Sequence, residues 1–225
     1  DRIFWSRSWL ELAQKRKKFY WALAASWVLL IYLVSNPQES LGTVGWGVPG
    51  MSAGLYAINQ PTVILHYLRL IFWPYPLILD YSWEPVRNIA LLLPAINALL
   101  VLIAVTVWAL RRKPALGFLG LWFFLILLPS SSFIPLADLA FEHRLYLPLA
   151  GIIMLAVVGA DVLLRRIFKN TDERILQGTI AFVIILGIFS YLTVRRNNLF
   201  QDLAAFWTEG VQLRPDNARA RYNLG

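Results

Sequence analysis

The sequence predicts an all-α protein: a polytopic transmembrane helical bundle of about five spans plus an interfacial helix, followed by the start of an α-helical repeat solenoid. Three observations carry that prediction. The 225 residues are 58% hydrophobic and only 15% charged, against roughly 45–50% and about 25% in an average soluble domain. Five apolar stretches free of lysine and arginine approach or reach the roughly 20 residues that a helix needs to cross a bilayer. The basic residues, finally, alternate in density from one connection to the next. Together these exclude an ordinary soluble globular domain. The absence of cysteine also excludes a disulfide framework and a thiolate metal site.

In chain order the apolar stretches are 19–34, 88–110, 115–129, 145–164 and 176–194. The first and third are short and must borrow flanking residues. Backbone groups find no water in lipid, so stretches of this kind are expected to be helices, and none alternates like a barrel strand. The basic residues give the orientation. Residues 1–18 hold Arg2, Arg7, Lys15, Arg16, Lys17 and Lys18, the turn at 111–114 holds Arg111, Arg112 and Lys113, and the linker at 165–175 holds Arg165, Arg166, Lys169 and Arg174. The intervening loops 35–87 and 130–144 hold only Arg69, Arg87 and Arg144. Thirteen against three is a positive-inside pattern: a cytoplasmic start and, after five spans, an extracytoplasmic tail. The net charge of +8 is then mostly a topology signal, and nucleic acid is not an expected partner. The bilayer is. A multi-pass protein of a bacterial inner membrane fits this pattern. The chain opens on Asp1, has its first methionine at Met51 and ends at Gly225 within an unfinished helix, so it reads as part of a longer protein.

The outer loop 35–87 is too long and too apolar for a simple connection. Residues 41–50 are rich in turn formers and are expected to be irregular. Residues 61–73 read as a helix, with Pro61 at the first helical position and Pro74 and Pro76 as stops. Thr62, His66 and Arg69 recur at i, i+4 and i+7 and form one polar stripe on an apolar helix. That pattern suits the membrane interface, with the stripe toward a wet cavity. Two readings of the stripe stand side by side: snorkelling and capping, or an anion site, because an arginine fork matches phosphate oxygens. Asp80 and Glu84 follow among interfacial aromatics, as helix caps or as loop carboxylates.

The second outer loop ends in Glu142, His143 and Arg144, just before the fourth span. Ionisable groups beside lipid are expensive and are by default a functional hypothesis. The alternative is a local Glu142–Arg144 ion pair that anchors the helix end. Asp138 is a further loop carboxylate there, and Tyr146 is the first aromatic of the span. Two histidines, His66 and His143, do not make a metal site, and neutral hydrogen bonding suits them better than ligation. No metal ligands are assigned, no resident cofactor is predicted, and a role for a divalent cation is left open. Asp161, within the fourth span, has Arg165 one turn later and is read as structural.

Beyond Val194 the composition changes. Leu203, Phe206, Trp207, Val211 and Leu213 approach a helical period, the chain turns at Pro215, Asp216 and Asn217, and a helix restarts toward Tyr222 and Gly225. This order is similar to that of a tetratricopeptide repeat, with a lone helical hairpin as the alternative. Two domains follow: a membrane domain at 1–194 and the start of a repeat region at 195–225.

A multispan module followed by such repeats resembles the TMTC family of transmembrane O-mannosyltransferases and its bacterial relatives. The resemblance is carried by residues 67–81 and 141–148 and by the repeat start; the second motif looks like the family's Glu-Arg…Tyr-x-Pro segment, with His143 here between Glu142 and Arg144. It covers most of residues 56–225. The resemblance implies a GT-C-fold glycosyltransferase that uses a polyprenyl-phosphate sugar as donor. It implies that His66, Arg69, Glu142, His143, Arg144 and Tyr146 bind the donor phosphate or substrate. Asp80, Glu84 and Asp138 remain candidate loop carboxylates. In the family the acid that assists the acceptor lies in the first outer loop of the membrane domain, and no residue here matches it. The repeats are expected to bind an acceptor or partner protein. Two other functions fit the same composition: a membrane-anchored repeat scaffold without enzymatic activity, and a polymerase or ligase of envelope polysaccharide.

Overall fold

The computed structural model describes residue 14 and residues 17–35, 48–78 and 80–225. Arg2, Arg7, Lys15 and Arg16 of the basic start, and most of the turn-rich stretch at 41–50, lie outside the described residues. Within them the chain is helical and contains no β-strand.

Among the described residues eight α-helices follow in order: α1 Lys17–Ser35, α2 Ala53–Phe72, α3 Ile89–Arg112, α4 Pro114–Leu127, α5 Tyr146–Ile167, α6 Thr171–Gln201, α7 Leu203–Leu213 and α8 Ala218–Leu224. A 3₁₀ turn, Glu142–Leu145, leads into α5. The helix starts are written in short polar side chains. Ser52, Asn88, Asn170, Asp202 and Asn217 each accept a hydrogen bond from a first-turn backbone N–H, which satisfies a donor that the helix itself leaves open.

The expected start of the interfacial helix is corrected. Ser52, not Pro61, begins it, so Pro61 lies inside α2. An interior proline costs roughly 3 kcal/mol through its missing N–H and ring clash. Here the Ser52 cap, the burial of Tyr56 and of Pro61 itself, and the hydrogen bonds of buried Asn59 offset that cost. At 20 residues, α2 is about 30 Å long, rather than the roughly 20 Å expected of 61–73. Its apolar face is packed into protein, with Tyr56, Val63, Ile64, Tyr67 and Leu70 all buried.

The membrane-like helices match the apolar stretches. Among the described residues three helical segments, Ile89–Arg112, Glu142–Ile167 and Thr171–Gln201, are long and apolar enough to cross a membrane. Their large apolar side chains face outward, with Leu91, Val101, Val157 and Phe182 all more than half exposed. That is a prohibitive surface in water and an ordinary one in lipid. α1 has 19 residues, and α4 has 14. A 14-residue helix rises about 21 Å, short of the roughly 30 Å hydrocarbon core. Lys113 alone joins α3 to α4, with Pro114 at the first helical position of α4, so the two run back to back. Gly117 sits against the backbone of Leu110 at this turn, and a Cβ on Gly151 would meet the Leu119 carbonyl oxygen of α4 at 2.7 Å. Small residues at these two points let the helices close up.

The core lies at one end of this bundle. Tyr56, Tyr67, Ile78, Tyr81, Phe123, Leu127, Leu139 and Leu145 form a single buried cluster where α2 meets the end of α4 and the loops 73–88 and 128–141. Leu213 of α7 packs against its edge.

Candidate functional site

Glu142 and Arg144 are drawn inward by different elements, and the local ion pair between them is not formed. Glu142 Oε1 accepts hydrogen bonds from the Ile78 N–H at 2.7 Å and the Tyr81 hydroxyl at 2.8 Å. The Arg144 guanidinium donates to the Tyr56 hydroxyl at 3.3 Å, the Leu139 carbonyl at 3.1 Å and the Asp138 carbonyl at 2.9 Å. It also lies 5.5 Å from the Phe141 ring centroid. Two tyrosines of α2 complete the lattice. The Tyr56 hydroxyl donates to the Ser130 carbonyl at 2.6 Å, and the Tyr67 hydroxyl accepts from the Phe141 N–H at 2.9 Å. Burial holds the hydroxyls of Tyr56, Tyr67 and Tyr81 above their ordinary pKa, with the Glu142 carboxylate adding to the shift at Tyr81. All three are neutral hydrogen-bonding groups. The arrangement is a clamp that fixes both loops on α2.

His66 belongs to the same cluster through its ring, which meets Tyr81 edge-on at 4.9 Å and Trp83 at 4.8 Å between centroids. Burial, with Arg69 and Arg214 adding positive charge nearby, pushes its pKa down to about 4. At neutral pH it is an uncharged imidazole, and its buried Nε2 has no partner. Arg69 is exposed one turn further on, and its Nη2 donates to the Tyr75 carbonyl at 2.6 Å. Thr62, His66 and Arg69 thus share the less buried side of α2. His143 and Tyr146 are exposed, the latter at 85%, with the His143 ring 5.0 Å from that of Phe141.

The loop carboxylates separate into two kinds. Asp80 is buried; its Oδ1 accepts from the Ser82 N–H at 2.9 Å, in a turn where Ser82 has φ 43°. Its Oδ2 lies 3.0 Å from Arg219, whose guanidinium also reaches Asp138 at 3.6 Å. Glu84 is exposed, beside a polar hollow shared with Ser82, Trp83, Arg87 and Asp138. Among the described residues no three His, Asp or Glu side chains come close enough to hold a metal ion.

Comparison with known proteins gives this arrangement a context. Over 161 residues, 66% of this chain, the sequence is 29% identical to the mouse protein O-mannosyl-transferase TMTC1. It is 27% identical to the human TMTC1 over the same share. It is 24% identical to the protein O-mannosyl-transferase F38B6.6 of Caenorhabditis elegans over 177 residues, 75% of the chain. The chain is similar to TMTC-type protein O-mannosyl-transferases. It spans 17–24% of the length of these relatives. No family model matches the chain, and no solved structure matches it.

Several residues that shape the site were invisible to pattern reading. Tyr56 and Asn59 lie in the part of α2 that the proline signal hid. Asn59 Nδ2 donates to the Leu55 and Val86 carbonyls, and its Oδ1 accepts from the Val86 N–H, tying α2 to the approach of α3. Asn217, placed in the turn before the last helix by the sequence, also donates to the Asp80 carbonyl at 3.0 Å across 137 residues of sequence. That second bond docks the tail on the first loop, and nothing in the local sequence signals it.

Proposed function

We propose that this chain is part of a membrane glycosyltransferase. It moves a sugar from a polyprenyl-phosphate donor to a protein or glycan acceptor on the outer face of the membrane. The observation that carries the reading is the similarity to protein O-mannosyl-transferases over two thirds to three quarters of the chain. The helices of membrane-crossing length and apolar surface support it.

Within this reading the residues divide by availability. Arg69 is the donor-facing cation in this reading: it is exposed, and one nitrogen anchors it to Tyr75, which leaves the other donors of the fork for a ligand. A departing lipid phosphate gains negative charge, and a fixed guanidinium stabilises that charge most where water is scarce. His66, uncharged, contributes a hydrogen bond through its ring nitrogen rather than a charge. His143 and Tyr146 are exposed at the mouth of α5 and contact the substrate. Glu142 and Arg144 act as positioning residues, since their polar atoms hold the loops. Asp80 and Asp138 are held by Arg219 and position the tail, and Glu84 is the open carboxylate. The base that deprotonates the acceptor hydroxyl lies elsewhere in the full protein. The basic start is cytoplasmic, five spans follow, and the tail begins a tetratricopeptide region that binds the acceptor or a partner outside a bacterial inner membrane.

The test is a transfer assay on the intact protein with a panel of radiolabelled polyprenyl-phosphate sugars. Transfer from at least one donor is expected, and Arg69→Gln lowers it by about 100-fold, the usual effect of removing one charge-stabilising donor. Transfer from no donor overturns the reading in favour of a repeat-bearing scaffold. Transfer that survives Arg69→Gln removes Arg69 from the site.

A further inference from the structure

The tail is docked on the loop 73–88 by two residues of one short segment. Asn217 Nδ2 donates to the Asp80 carbonyl at 3.0 Å, and Arg219 Nη1 lies 3.0 Å from Asp80 Oδ2. Asp80 is buried, while Arg219 is half exposed. A buried carboxylate that loses its cation is strongly destabilised, so the pair holds α8 down. The same Arg219 nitrogen lies 3.6 Å from Asp138 Oδ1. One guanidinium therefore serves a carboxylate on each of the loops 73–88 and 128–141, and Asp138 holds it more loosely than Asp80 does.

Those two loops wall the polar hollow, which has a volume of about 440 Å³. Ser82, Trp83, Glu84 and Arg87 line it from the first loop and Asp138 and Leu139 from the second, while Arg219 does not line it. The walls do not need the tail for their shape. Arg144 holds the Asp138 and Leu139 carbonyls, Asn59 holds Val86, and Trp83 packs against His66 and Tyr81. What the tail supplies is charge. Glu84 and Arg87 are exposed and form no ion pair among the described residues, so one charge of each sign is present in the lining. Asp138 is the third charge, and Arg219 offsets it only while α8 is docked.

We propose that the tail is a charge switch for this hollow. Docked, Arg219 keeps the lining near neutral. Lifted, α8 takes Arg219 away and leaves Asp138 free, so the hollow becomes net negative and takes a cationic group. The shape is unchanged and the charge is not. By linkage the coupling runs both ways: a cation that takes Asp138 loosens α8, and a partner that lifts α8 frees Asp138. The switch goes beyond the transferase reading and does not depend on it.

The test uses the full-length protein in phosphatidylcholine nanodiscs. Carboxyl groups are labelled with a water-soluble carbodiimide and glycine ethyl ester and read by peptide mass spectrometry, with Glu84 as the internal reference. In the wild type Glu84 labels readily and Asp138 slowly. Arg219→Gln is expected to speed labelling at Asp138 about tenfold, the size of one charge-assisted contact. Arg219→Lys restores part of the protection, and Arg221→Gln, on the same helix but without a carboxylate partner among the described residues, leaves it intact. Asn217→Ala is the decisive variant. Its side chain bonds the Asp80 carbonyl and the Ala220 N–H, not Asp138, yet its loss unseats α8 and is expected to speed Asp138 labelling too. In the reverse direction, Asp138→Asn is expected to speed hydrogen exchange of the 218–224 amides about threefold, as suits a partly exposed pair, and Glu84→Gln leaves them unchanged. Slow exchange across α3 confirms that a variant is folded. Where Arg219→Gln opens α3 as well, 1 M salt on the wild type replaces it, because salt screens a half-exposed pair, and Asp138 labelling is expected to rise in the same way. Asp138 labelling that ignores both the loss of Arg219 and salt overturns the switch. Protection that survives Asn217→Ala also overturns it, since Arg219 would then be a local screen independent of docking. Unchanged exchange of 218–224 in Asp138→Asn does the same, because a true coupling is reciprocal.

Discussion

The loop core around α2 and the long helix α6 are built on opposite terms. In the loop core the polar atoms of Glu142, Arg144, Tyr56, Tyr67 and Asn59 bridge segments far apart in sequence, and the apolar side chains are packed against protein. α6 has 31 residues and none is buried. Its order is intrinsic to the helix and, in the proposed setting, to lipid. The contrast teaches where substitutions are felt. In the core these polar side chains are tied to partners that are stranded by their loss, while on α6 a side chain trades one apolar contact for another.

The largest expected break in this contrast is Arg144→Ala. It leaves two carbonyls and the Tyr56 hydroxyl without their shared donor, and a loss of about 3 kcal/mol in the unfolding free energy is expected. Phe182→Ala on α6, where the ring is 64% exposed, is expected to change stability by less than about 0.5 kcal/mol. Denaturant titration of the two variants in the same detergent measures both. Equal losses would mean that α6 packs against protein along that face.

Asn217→Ala is next. The side chain is buried, caps α8 through the Ala220 N–H at 2.9 Å and donates to the Asp80 carbonyl. Losing a cap and stranding a buried carbonyl costs about 2 kcal/mol together. Hydrogen exchange is the discriminating measurement: amides of 218–224 should exchange about 30-fold faster, while those of α3 stay unchanged. Acceleration confined to α8 alone, with the loop at 80–82 untouched, would show that the tail is capped but not docked.

His66 makes a smaller, pH-dependent difference. Its pKa falls from 6.5 to about 4 in the fold, so between those values the unfolded chain binds a proton that the folded chain refuses. Its contribution is therefore complete above pH 6.5 and is lost as the pH falls toward 4. Thermal unfolding of the wild type should decline more steeply over that window than unfolding of His66→Gln. Parallel profiles would place the imidazole in water instead of against Tyr81 and Trp83.

These expectations also show what a sequence can and cannot carry. The apolar stretches at 88–110 and 145–164 were legible within a few residues because a membrane-crossing helix is specified locally, by length and by transfer free energy. The caps at Asn88, Asn170 and Asn217 are local in the same way. The start of α2 was misread because a proline signals a helix start only when no better cap precedes it, and Ser52 does. The hydrogen-bond partners of Glu142 and Arg144 were not legible. The nearest opposite charge in sequence is, for each, the other, yet their bonds go to Ile78, Tyr81 and Tyr56. Such pairing is decided by how α2 and two loops pack, and no spacing rule encodes it.

The smallest effect is expected at Asp161. Its Oδ2 lies 2.7 Å from Arg165 one helical turn later on α5, and both side chains are about half exposed. Pairs of this kind contribute a few tenths of a kcal/mol, and Arg165, near the helix end, can reach the interface without its partner. Asp161→Leu is therefore expected to lie within about 0.5 kcal/mol of the wild type, unlike any substitution in the loop core. Unfolding in nanodiscs reads the difference. A loss above about 2 kcal/mol would mean that Arg165 is stranded in hydrocarbon once its carboxylate is gone. The membrane boundary at the C-terminal end of α5 would then lie beyond Ile167, and the span would sit deeper than its loops imply.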